Sequence, residues 1–199
     1  MDVAILVEKI PEPDSEADAY GVAICSGGSA SNFAAACSRL GEKSAVVAVV
    51  GEDELGELYL RWMRRHGVDL SLVRRIPGSE TGLVVTVTAA GEQRRMIRRR
   101  GANLLLTEDY VEEALRRAGS WDLVHLAGGR PELAYTVSEL AGRFSWDPGA
   151  KTLKKSPEIV WELAESIERI FLTVREAEML GGGAWDAAKK LVARGAGEV

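Results

Sequence analysis

The sequence predicts an α/β fold, a mostly parallel sheet with helices on both faces, and three observations carry that prediction. Short valine-rich runs alternate with helical patterns along most of the chain, the signature of strand–helix units in a layered sheet. Ala45 to Val50 is apolar at every position, as a strand covered on both faces requires. Between Thr81 and Arg100 the period drops to two, with Val85 and Val87 alternating with Thr86 and Thr88 before the turn Ala90-Gly91-Glu92. That stretch reads as a hairpin projecting from the main sheet.

In order, Val3–Ile10 reads as a strand closed by Pro11-Glu12-Pro13-Asp14, and Asp18–Cys25 as a second. Gly27-Gly28 then opens into a helix whose inward stripe is Ala30, Phe33, Ala34, Cys37 and Leu40. Small residues let that helix lie close to a sheet, and its unpaired first amides can donate to hydroxyls or anions. After the strand at 45–50, a helix from Glu54 carries Leu55, Leu58, Tyr59, Trp62 and Met63 inward and stops at Gly67. Past the hairpin, the spacing predicts a helix from Thr107, a strand Leu123–Ala127 and a helix opened by Pro131. A strand ending at Asp147, a helix after Ser156-Pro157, and a strand Ile170–Leu172 follow. A short helix then ends at Gly181-Gly182-Gly183, and a last one spans Ala184–Ala193.

The chain has 199 residues, 46% of them hydrophobic and 28% charged, the profile of an ordinary globular protein. Its net charge of −5 argues against bulk electrostatic binding of nucleic acid. Cys25 and Cys37 have no metal-ligand spacing and are read as reduced core thiols. There is no charged leader followed by an apolar run, and no apolar stretch approaches the roughly 18–20 residues a bilayer span needs. A cytoplasmic protein without membrane partners is expected.

Parallel sheets place ligands beyond the carboxyl ends of their strands, here at Ala127-Gly128-Gly129, Asp147-Pro148-Gly149 and Thr173–Glu176. With those positions the chain resembles the ribokinase, or phosphofructokinase-B type, family of carbohydrate and nucleoside kinases. The resemblance rests on Gly27-Gly28 with Asn32 and on Val50-Gly51-Glu52-Asp53-Glu54-Leu55-Gly56. It rests equally on Thr81-Gly82, Gly91-Glu92 and Gly101-Ala102-Asn103, and on Asp147-Pro148-Gly149 and the segment Thr173–Leu180. It covers nearly the whole chain and implies a ribokinase-like α/β domain over residues 1–199, with a small β lid from roughly 3–25 and 72–100.

By that resemblance Asp2, Gly27, Gly28 and Asn32 bind the hydroxyls of a sugar or nucleoside. Glu176 and Thr173 stand at the family's Asn-x-x-Glu motif, which helps place Mg2+ and the phosphates of ATP, with Glu176 toward the metal. The asparagine of that motif is replaced by Thr173. The family's catalytic aspartate lies in a Gly-Ala-Gly-Asp segment at a helix start. Gly195-Ala196-Gly197-Glu198 only mimics it and is read as the turn before another strand, so no catalytic residue is assigned. The family's first strand and catalytic segment are expected to lie outside the chain, which alone is expected to be inactive and either unstable or associated. A homodimer through the lid is implied. The alternative is a non-catalytic sugar-binding or subunit-interaction protein derived from such a kinase.

Other residues keep plainer readings beside functional ones. Arg94, Arg95, Arg98, Arg99 and Arg100 crowd the second hairpin strand, either as a site for a phosphorylated or carboxylated substrate or, preferred, as a solvated face that blocks edge pairing. Asp147 divides evenly between turn-former and functional group. His66, His125 and the five tryptophans are read as packing or capping residues.

Overall fold

The computed structural model describes residues 1–199 and divides into two compact units, Met1–Leu106 and Thr107–Val199. The first begins with β1 (Asp2–Val7) and β2 (Ala19–Cys25), followed by α1 (Ser29–Arg39), β3 (Ala48–Gly51) and α2 (Glu54–Arg65). β4 (Val73–Ile76), β5 (Leu83–Ala89) and β6 (Arg95–Arg99) complete its strands, and a 3-10 turn covers Gly101–Leu105. Four strands form a mixed sheet in the order β2-β1-β5-β6, while β3 and β4 pair in parallel as a separate two-stranded sheet. Val73–Ile76 therefore lies outside the four-stranded sheet, although the sequence reading grouped it with the lid.

The core of this unit gathers Ala34 of α1, Val46 and Val50 around β3, Tyr59, Leu60 and Met63 of α2, and Val68. The stripe predicted for α2 is largely the buried one, because its apolar residues recur at helical spacing. That of α1 is rotated: Ser31 and Ala34 are buried, and Leu40 is 83% exposed. Ser31 is tolerated inside because its hydroxyl shares a 2.8 Å hydrogen bond with the Tyr59 hydroxyl, leaving no buried polar atom unpaired. Cys25 is exposed, not core, since it lies on the edge strand β2.

One carboxylate joins several of these pieces. Asp53 caps α2 by accepting from the Gly56 amide at 2.8 Å, and it also accepts from the amide and hydroxyl of Thr81, where the hairpin begins. The Thr81 hydroxyl oxygen in turn accepts from the Gly51 amide at 3.0 Å. Burial alone would raise the Asp53 pKa, but the Thr81 hydroxyl, the Thr81 and Gly56 amides and the Arg99 charge outweigh it and hold it below the usual value.

In the second unit β7 (His125–Ala127), β8 (Phe144–Asp147) and β9 (Ile167–Ile170) form a parallel sheet with β8 central. Phe144, Ser145 and Trp146 are buried, as the middle strand of a covered sheet demands. Around it stand α3 (Glu108–Ala118), α4 (Pro131–Ala141), α5 (Gly149–Lys155), α6 (Glu158–Glu162), α7 (Val174–Met179) and α8 (Ala184–Ala193). The helix expected after Ser156-Pro157 is α6, and a further helix, α5, precedes that dipeptide, where the sequence reading placed none. The two are separated there because proline disfavours helix in the residue before it. β9 lies three residues earlier than expected, and Trp185 is 81% exposed rather than packed.

Replacing Asp53 by Ala removes three hydrogen bonds to a charged acceptor and is expected to lower stability by about 2–3 kcal/mol in urea unfolding. Because the Asp53 pKa is depressed, its contribution is present above the unfolded-state value and fades as pH falls through the folded one. The difference between wild type and Asp53→Ala therefore shrinks in acid, and a gap that stays constant from pH 7 to pH 2 would exclude this role.

Candidate functional site

The turn from β2 into α1 is built for close approach. Gly27 is buried, and a Cβ there would overlap the Asp2 carboxylate, which sits directly against the glycine backbone. Gly28 takes φ +99°, a left-handed conformation open to glycine at little cost, and begins α1 without any side-chain cap. Its carbonyl accepts from the Asn32 amide at 3.0 Å, which fixes Asn32 one turn into the helix. Asp2 and Gly27 are thus in direct contact, while Gly28 and Asn32 are joined through the first helical hydrogen bond. The Asn32 side chain is exposed. Acceptor carboxylate, uncapped amides and an exposed carboxamide together suit a ligand rich in hydroxyls.

The other assigned pair has a structural task. Thr173 caps α7: its hydroxyl oxygen accepts from the Glu176 amide at 3.2 Å, and one Glu176 carboxylate oxygen accepts from the Thr173 amide and hydroxyl at 2.9 and 2.8 Å. This capping box was legible as Thr-x-x-Glu ahead of a helix, and the family reading passed over it. Asp147, at the end of β8, has its pKa raised by burial first and by the Glu176 charge second, with the Gly149 amide acting against both. Mg2+ is commonly held by one or two carboxylates together with substrate phosphates. Asp147 and the uncapped oxygen of Glu176 fit that requirement, although no group of three potential ligand side chains gathers in the chain.

Beside them the Gly128-Gly129 turn after β7 is pinned by its carbonyls, which accept from Trp146 Nε1 at 3.3 Å and from the buried Thr152 hydroxyl at 3.1 Å. His125, read from the sequence as a packing or capping residue, shares a 2.8 Å hydrogen bond through Nδ1 with Ser145 and meets Phe171 edge-on, and burial lowers its pKa. The mimic segment near the end is committed to the backbone. The amides of Gly197 and Glu198 donate to the carbonyls of Ile167 and Glu168, and Glu198 bridges Arg169 of β9 in parallel. Those amides are unavailable to an oxyanion, as the reading of this segment as a strand approach implies.

The model of the pfkB family of carbohydrate kinases matches residues 1–197. The chain belongs to this family. Its pfkB relatives include an ATP-dependent ribose-1-phosphate kinase of Halopiger xanaduensis, 31% identical over 75% of this chain and 51% of the relative. A fructokinase of Solanum tuberosum is 32% identical over 89% of the chain and 58% of the relative. Among solved structures, ribokinase from Thermotoga maritima superposes with a TM-score of 0.80 at 20% identity, covering 98% of this chain and 66% of that one. Arabidopsis thaliana ribokinase in complex with ribose and ATP gives 0.77 at 24% identity, with 98% and 66% covered. The ribokinase-like α/β fold is thereby established, and the chain spans little more than half the length of the two curated relatives. No helix is long and apolar enough to cross a membrane.

An aspartate with a raised pKa disfavours the folded state once it ionises, so this penalty is absent below the unfolded-state pKa and grows as pH rises through the folded one. Asp147→Asn is accordingly expected to raise the melting temperature at pH 7, by about 2 °C, with the gain vanishing near pH 4. Equal gains at both pH values, followed by differential scanning calorimetry, would contradict the burial argument.

Proposed function

We propose that the chain carries the acceptor-binding portion and lid of an ATP-dependent phosphotransferase acting on a sugar or nucleoside hydroxyl. The observation that carries this reading is the Asp2 carboxylate seated on Gly27 beside the uncapped start of α1. In this arrangement Asp2 accepts hydrogen bonds from ring hydroxyls, the first amides of α1 donate to them, and Asn32 both donates and accepts. The glycine turn lets the ring lie against the backbone. The four-stranded sheet built from β1, β2, β5 and β6, within roughly 3–25 and 72–100, closes over the acceptor as a lid on one kinase domain.

ATP with Mg2+ supplies the phosphoryl group and neutralises charge developing on it. Glu176 and Asp147 are the carboxylates that would hold the ion, and Thr173 keeps Glu176 in position. No residue of the chain is assigned as the base for the attacking hydroxyl, so the chain alone is expected to bind the acceptor without turnover. The committed amides of Gly197 and Glu198 favour a second reading as well, a sugar-binding or subunit-interaction protein that performs no transfer.

The lid also suggests a partner. Val3, Ile5 and Val7 of β1 share a face with Tyr20, Val22 and Ile24 of β2, Val85 and Val87 of β5, and Ile97 of β6. Tyr20, Val22 and Ile97 on that face are 66%, 63% and 73% exposed, more apolar area than a solvated sheet face ordinarily shows. A second copy of the chain, meeting this face with its own, makes the homodimer. A cytoplasmic location is part of this reading.

Thermal-shift titration of the chain with sugars and nucleosides, each with and without Mg2+-ATP, tests the acceptor site. At a hundredfold excess over Kd, a binding ligand stabilises by about 2.7 kcal/mol. A sugar is expected to shift the melt alone, and Gly27→Ala, whose methyl displaces Asp2, to remove the shift. A shift with ATP alone and none with any acceptor would overturn the reading. For the dimer, sedimentation velocity at rising concentration is expected to give a two-chain species that Val22→Lys with Ile97→Lys converts to monomer; a wild-type monomer throughout would refute it.

A further inference from the structure

We propose that Tyr59 is a positioning residue for acceptor binding: its hydroxyl holds that of Ser31 and so leaves the Gly28 carbonyl to the Asn32 amide. The inference rests on the glycine turn and the start of α1 being the acceptor site. Of the serines around that turn, Ser26, Ser29 and Ser31, only Ser31 is buried. It stands in the first turn of α1, with its hydroxyl oxygen 3.7 Å from the point that a Cβ would occupy on Gly28. Its hydrogen bond to the Tyr59 hydroxyl is 2.8 Å long, and that hydroxyl makes no other.

A serine inside a helix commonly bonds backward, its hydroxyl donating to the carbonyl three or four residues earlier. For Ser31 those carbonyls belong to Gly28 and Gly27, the turn itself. The Gly28 carbonyl accepts from the Asn32 amide at 3.0 Å, the bond that sets where Asn32 leaves the helix. A hydroxyl donating to the same oxygen competes with that bond and bends the first turn. Tyr59 prevents this from a neighbouring helix. Either hydroxyl can be the donor, and in both cases Ser31 is committed to α2 rather than to the glycines. Packing does not call for such a pair. The surrounding core is made of Ala, Val, Leu and Met, and an alanine facing a phenylalanine would fill the space with no hydroxyl to satisfy. What the pair adds is control of the turn. The same helix carries Asp53 at its N-cap, where it receives the Thr81 amide, so α2 holds the acceptor turn by its buried face and the hairpin entrance by its cap.

Calorimetric titration of the whole chain with ribose, fructose and inosine, well below the melting temperature of each variant, tests the role. Tyr59→Phe is expected to weaken whichever probe binds by about five- to tenfold, since Ser31 then turns back on the glycines. Adding Ser31→Ala to Tyr59→Phe should recover most of that loss, because no hydroxyl remains to bond backward. Hydrogen exchange without any ligand gives a second readout. In Tyr59→Phe the Asn32 amide is expected to exchange faster than in wild type, while the Val111 amide, which donates to the Thr107 carbonyl in α3, keeps its rate. Unchanged affinity in Tyr59→Phe, an equal loss in the single and double variants, or an Asn32 amide whose exchange does not respond would each overturn the inference while leaving the acceptor site standing. If none of the three probes binds the wild-type chain, the acceptor reading fails and this inference falls with it.

Discussion

Asp53 and Thr81 hold together backbone that is remote in sequence: the end of β3 through the Gly51 amide, the first turn of α2 through the Gly56 amide, and the entrance to β5 through Thr81 itself. The approach is tight enough that side chains are excluded around it. A Cβ at Gly51 would overlap the Ser79 carbonyl, and one at Gly101, which takes φ +52°, would overlap the Glu80 carbonyl. Glu80 receives the Ala102 amide on its backbone and Arg99 on its side chain, so the return from β6 is tied to the same place. A charged acceptor with several N–H and O–H donors is among the stronger polar arrangements available to a protein, and here it fixes where the hairpin leaves the α/β layer.

From that anchor the four-stranded sheet presents two unlike faces. One carries Val, Ile and Tyr across β2, β1 and β5, with Arg95 and Arg99 flanking Ile97 on β6; the other carries Asp2, alanines, threonines and Arg98. Alternation with period two makes such a division possible, and a one-residue slip in any strand would exchange the faces. The same register that gathers the apolar side chains on one face puts Asp2 on the other, against Gly27.

In the second unit the polar groups at the strand ends differ in how fully the fold satisfies them. Glu176 spends one carboxylate oxygen on the α7 cap, which holds its side chain in place, and Asp147 is left with a raised pKa by burial and by that neighbour.

The order of strands and helices was legible because apolar periodicity and the Gly, Pro and Thr punctuation act locally; α2, α4 and α8 and the hairpin lie where those signals put them. The family motifs pointed to Asp2, Gly27, Gly28 and Asn32, of which the fold brings Asp2, distant in sequence, against Gly27. What the sequence left open depends on partners far along the chain. Ser31 is inside because Tyr59 is there to meet its hydroxyl, Leu40 is outside because α1 is rotated about its axis, and Cys25 is exposed because β2 is an edge. The assignment of β4 to β3 rather than to the lid, the identity of Thr81 as the partner of Asp53, and the side of β6 that holds Arg98 were decided by pairing and register. Composition and spacing determine which elements form, because their energetics reside within a few residues; the faces, pairs and charges that make a site come from contacts between distant segments, and only the tertiary structure sets those.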